Sequence, residues 1–84
     1  MKYIVVMQFL DEHGRPGPEE YIEESFGLEY FADAKLTVKE LVLDDLDDCR
    51  TAILRWEGDM ILHVERPAVD PGQRSKIYRI VTVS

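Results

Sequence analysis

Asp44-Asp45-Leu46-Asp47-Asp48 puts four carboxylates into five consecutive positions, the residue type that holds hard divalent cations. An EF-hand calcium loop takes oxygen ligands at alternate positions, then glycine at the sixth and glutamate at the twelfth. Counted from Asp45, those two positions are Arg50 and Trp56, so the pattern fails and no metal is expected. Cys49, His13 and His63 are the other candidate ligands or nucleophiles. No CxxC or HxxxH spacing joins them, and a structural zinc takes four such ligands. Cys49 sits beside Arg50 but follows four acids that oppose a thiolate, so it reads as a small buried hydrophobe. His63 reads as a partly exposed packing residue on a strand. Gly14, Gly17, Gly27, Gly58 and Gly72 form neither GxGxxG nor GxxxxGK. The carboxylate pairs Glu19/Glu20 and Glu23/Glu24 carry no mark that separates hydrolysis from surface charge. The expectation is a protein without catalytic residues or cofactor.

The elements that would position any site start from Thr51–Arg66. Ala52, Leu54 and Trp56 alternate with Thr51, Ile53 and Arg55; Met60, Leu62 and Val64 alternate with Ile61, His63 and Glu65. Period-two alternation predicts two strands with one apolar face. A three-residue loop, Glu57-Gly58-Asp59, sets Trp56 opposite Met60, Leu54 opposite Leu62 and Ala52 opposite Val64, all on that face. A two-residue Gly58-Asp59 turn suits a type II′ hairpin but throws the faces out of phase. The longer loop is therefore expected.

Upstream, residues 3–10 (YIVVMQFL) are apolar on both faces except at Gln8 and predict an interior strand. Asp11–Pro18 is a loop by its glycines and prolines. Pro18 at a first helical position, Glu19 and Glu20 after it and Gly27 as a stop predict a short helix over 18–26. Leu28–Leu43 is ambiguous: Leu28, Tyr30, Ala32, Ala34 and Leu36 alternate like a strand. Phe31, Ala34, Val38, Leu41 and Val42 keep helical spacing instead. Thr37-Val38-Lys39-Glu40 has the form of a capping box. Helix from Asp33 or Thr37 to Leu46 is expected, with strand before Thr37 as the alternative. The Asp44–Asp48 acids then sit at a helix C-terminus, against the dipole. Pro67–Ser75 is a loop turning at Pro71-Gly72, and Lys76–Val83 is a β-branched strand. The sum is a single α+β domain over 1–84: a two-layer fold, with an antiparallel sheet of about four strands and one main helix on one face.

The net charge of −7 is unevenly placed. Residues 11–48 hold thirteen acids against Arg15, Lys35 and Lys39, a local net of −10, while residues 49–84 carry +2. Such a field repels phosphate and attracts basic surfaces, so direct nucleic-acid binding is disfavoured. Arg50, Arg55, Arg66, Arg74, Lys76 and Arg79, interleaved with Trp56 and Tyr78, have the composition of a nucleic-acid-binding sheet but not its aromatic motif. The longest apolar run, Tyr3–Met7, is far short of the ~20 residues of a membrane span. With no signal peptide visible and a single cysteine, a cytoplasmic location is expected.

These features predict a non-enzymatic module whose acidic surface occupies a basic site on a partner protein, as a monomer or homodimer. The expected contacts are Glu19, Glu20, Glu23, Glu24, Asp44, Asp45, Asp47 and Asp48, with Tyr21 and Phe26 as anchors if exposed. In size, acidity and layout, through PEEYIEES (Pro18–Ser25) and DDLDD (Asp44–Asp48), the chain resembles small phage-encoded inhibitors of the anti-CRISPR and DNA-mimic kind. That resemblance implies an inhibitor acting on a nucleic-acid-binding site of its partner. The other reading is a structural or oligomerisation subunit that associates through the sheet's outer face, Ile53, Ile61 and Ile77.

Overall fold

Strand β1 (Lys2–Phe9) carries apolar residues on both faces, and both of its edges are paired. The chain continues through β2 (Glu20–Tyr21), a single 3-10 turn (Glu23–Ser25), helix α1 (Phe31–Leu46), and strands β3 (Ile53–Glu57), β4 (Ile61–Glu65) and β5 (Lys76–Val83). The computed structural model describes residues 2–46, 52–66 and 74–83, excepting the side chains of Asp45 and Leu46. All strand pairs are antiparallel, in the order β2-β1-β5-β4-β3, and one face of the sheet carries α1. The fold is α+β, with five strands rather than four.

The extra strand lies where a helix over 18–26 was expected. Tyr21 pairs with Val6 and Glu20 with Met7, and the Ile22 N–H donates to the Val5 carbonyl at 3.0 Å. The strand β1 has backbone groups on that side that need partners, and a ladder supplies them where an isolated two-turn helix would not. Helical character survives only at Glu23–Ser25. There Ser25, wholly buried, accepts the Val5 N–H on its hydroxyl oxygen at 2.8 Å and donates to the Ile22 carbonyl at 2.6 Å. Gly27 is in the left-handed region (φ 81°), as a chain reversal there requires, but it follows the 3-10 turn and ends no α-helix.

Helix α1 begins at Phe31, earlier than expected, with the Asp33 and Ala34 amides donating to the Tyr30 carbonyl. Thr37 is therefore inside the helix and caps nothing. Its hydroxyl donates to the Asp33 carbonyl, one turn back, at 2.9 Å. The strand alternative survives only at Leu28, which bridges to Tyr3. Ala34, Val38 and Val42, four apart along the helix, are buried against Val5, Leu62, Val64, Tyr78 and Ile80 of the sheet. Burying each valine contributes about 1.5–3 kcal/mol.

The hairpin keeps the expected apolar face but not the expected partners. Trp56 pairs with Leu62, Leu54 with Val64 and Arg55 with His63, around the loop Gly58-Asp59-Met60. The register moves by two residues, which preserves which face each side chain occupies. One conformation and one contact go with it: Gly58 takes a left-handed φ of 63°, and the Met60 carbonyl accepts the Ile80 N–H of β5 at 2.8 Å. Strand β5 has the expected limits, Lys76–Val83. Cys49, Arg50, Thr51 and the Pro67–Gln73 part of the expected loop, with its Pro71-Gly72 turn, lie outside the described residues.

Candidate interaction surfaces

Pairing fixes the two faces of the sheet. Tyr3, Val5 and Met7 of β1, Tyr78 and Ile80 of β5, Leu62 and Val64 of β4, and Leu54 and Trp56 of β3 point to the helix side. Val6, Arg79, Ile77, Ile61, His63, Ile53 and Arg55 lie on the other. Ile53, Ile61 and Ile77 thus share the outer face, as expected, but unequally: Ile53 is 66% exposed and Ile77 only 8%.

The predicted acidic contacts are only partly brought together. Glu19 is paired with Arg79, Oε2 to guanidinium nitrogen at 2.5 Å. The register sets Val6 between their strands, and it is 1% exposed. Glu20, on β2, and Glu23 and Glu24, in the 3-10 turn, are exposed and make no ion pair among the described residues. Tyr21 and Phe26 beside them are both more than half exposed. Asp44 is also exposed, but it lies near the far end of α1, about 20 Å along the axis from Phe31 at 1.5 Å per residue. The side chain of Asp45, and Asp47 and Asp48 altogether, lie outside the described residues.

Three further acids supply what the eight alone lack. Glu29 precedes α1, and Asp33, Glu40 and Asp44 follow at spacings that keep them on one outward stripe of the helix, all exposed. The two lysines of α1 turn the other way. The Lys35 ammonium lies 4.6 Å from the Trp56 ring centroid and 3.7 Å from an Asp59 carboxylate oxygen, and Lys39 lines a groove against β3. Acids therefore line the side of α1 turned away from β3, and lysines face the β3 edge.

Comparison with known protein families, curated proteins and solved structures finds no match to this chain.

The groove was not foreseen in the sequence. Among the described residues the backbone of α1 approaches β1, β5 and the 3-10 turn, but not β3 or β4. The uncovered part of the helix-side face forms a cleft of about 300 Å³ lined by Lys39, Val42, Leu43, Leu54, Trp56 and Leu62. Leu43 is 65% exposed and Leu54 48%. The available signal was Leu43, an apolar residue off the buried stripe of α1. It could be interpreted only once the helix was known to sit off-centre.

On the outer face, the His63 Nε2 and Arg79 Nε atoms are buried without a hydrogen-bond partner, and His63 Nε2 lies 3.8 Å from a Glu57 carboxylate oxygen. Among the described residues no group of three or more His, Cys, Asp or Glu side chains could hold a metal ion. Among them, too, no helix is long and apolar enough to cross a membrane.

Proposed function

We propose that this protein is a non-enzymatic interaction module that presents an acidic edge to a basic surface of a partner protein. The observation that carries the reading is the division of charge on α1. Asp33, Glu40 and Asp44 form an outward stripe on a helix that packs against the 3-10 turn of Glu23 and Glu24, while Lys35 and Lys39 are turned towards β3. A one-signed surface steers a basic partner during encounter, and carboxylates form charge-assisted hydrogen bonds with its Lys and Arg side chains. Phe26, which ends the 3-10 turn and is more than half exposed, adds aromatic area next to Glu23 and Glu24, while Tyr21, opposite Val6, points to the other face of the sheet from Glu20. A partner site built for nucleic acid has the complementary charge, so the module would act by occupying it.

The test compares wild type with a Glu20/Glu23/Glu24→Gln, Asp33→Asn, Glu40→Gln, Asp44→Asn variant as immobilised bait. The expected partner is basic, elutes with salt, is displaced by duplex DNA and is lost with the variant. Equal recovery of the same partner by both baits would show that the acids have no part in recognition.

A further inference from the structure

The two edges of the sheet are built differently. At one, β2 is only two residues long, follows Pro16 and Pro18, and is surrounded by Glu19, Glu20, Glu23 and Glu24. Short edge strands, proline and charge are the devices that stop a sheet edge from pairing with another chain. At the other, β3 presents Ile-Leu-Arg-Trp-Glu, with no proline or lysine and no fully buried residue. Among the described residues nothing pairs with its outer side.

The backbone groups that β3 offers can be identified. The Met60 carbonyl bonds to Ile80 of β5, so Met60, Leu62 and Val64 aim their backbone polar groups at β5, and Ile61, His63 and Glu65 aim theirs at β3. Their partners Glu57, Arg55 and Ile53 are thereby satisfied by β4. The N–H and C=O groups of Leu54 and Trp56 are left pointing outward.

We propose that two copies of this chain pair antiparallel through β3, about a two-fold axis at Trp56, to form one continuous ten-stranded sheet. Charge selects this occupant and this register. In the pairing centred on Trp56, Arg55 of each copy lies directly opposite Glu57 of the other, giving two complementary contacts on the outer face. Centring one residue earlier, on Arg55, would set the two guanidinium groups against each other, and like charges directly opposite are destabilising. The Arg55-Trp56-Glu57 stretch is self-complementary when read backwards, as a two-fold contact requires, and it sets Leu54 opposite Gly58 of the other copy. On the helix side the same register brings the two Trp56 rings together and runs the two α1/β3 grooves into one apolar trough. The β2 edges face away from the seam.

The experiment is a concentration series of the full chain by size exclusion with light scattering, on wild type, Arg55→Glu, Arg55→Glu/Glu57→Arg and Leu54→Pro. Far-ultraviolet circular dichroism checks that each variant is folded. Leu54→Pro replaces an N–H that none of the described strands uses, a position at which an edge strand accepts proline, with a ring that blocks the approach of another strand on that side. Wild type is expected to dimerise, Arg55→Glu to weaken association by about 10-fold or more, and the double swap to restore it to within about threefold. Leu54→Pro is expected to be folded and monomeric. A wild type that is monomeric at all concentrations overturns the proposal. So does a dimer that Arg55→Glu and folded Leu54→Pro leave unchanged, which would put self-association on the Ile53/Ile61/Ile77 face instead.

Discussion

The Lys35 ammonium lies 4.6 Å from the centroid of the Trp56 ring, so one cation ties the helix to an edge strand that its backbone does not approach. A cation over an indole face is stabilised by the ring quadrupole, by about 0.5–1 kcal/mol where water has access. The Lys35→Met variant keeps the length of the side chain and discards the charge. It is expected to lose about that much, with Tm lower by about 4–8 °C per kcal/mol in a domain of this size. Thermal melts followed at the Trp56 fluorescence check this, and an unchanged midpoint would mean that the contact contributes nothing.

Ser25→Ala is expected to cost more than its size suggests. The Val5 N–H gives its hydrogen bond to the Ser25 hydroxyl in a fully buried position. Removing the acceptor leaves that donor unsatisfied, at a cost of about 1–3 kcal/mol. The Val5 amide should also lose its protection against hydrogen exchange, a site-specific signature that loss of packing alone would not give.

Thr37→Ala decides between two readings of one residue. Were Thr37 an N-cap, alanine would destabilise the protein by about 0.5–2 kcal/mol. In the interior of α1, bonded back to Asp33, it is replaced by the best helix former, and a gain of up to about 0.7 kcal/mol is expected. The sign of the shift in the denaturation midpoint is the measurement.

Glu19→Gln breaks the ion pair with Arg79, whose two side chains are both over a third exposed. Exposed pairs contribute about 0–1 kcal/mol, so a small loss at low salt is expected. It should vanish near 1 M salt, where the screening length falls to about 3 Å. A loss that persists at high salt would instead point to packing over Val6.

Much of the scaffold was legible because its signals are local. Alternation at Ile53–Glu57, Ile61–Glu65 and Lys76–Val83 marks strands whatever surrounds them, and Ala34, Val38 and Val42 mark the buried stripe of α1. The acidic candidates were legible as residues but not as a surface. Nothing local to Glu19 says that Arg79, sixty positions away, neutralises it, or towards which edge of the sheet the stripe of Asp33, Glu40 and Asp44 is turned.

By its own sequence, then, the chain determines its α+β class, the apolar face of the hairpin strands and the sign of its first half, because side-chain periodicity and charge belong to the residues themselves. Tertiary structure alone decided that Glu20–Tyr21 is a strand, that the hairpin closes at Gly58-Asp59-Met60, and that α1 leaves β3 uncovered. Each of those outcomes depends on which backbone donors and acceptors find partners across the sheet: β1 needs a neighbour beyond Val6, and Met60 answers to Ile80 rather than to Trp56.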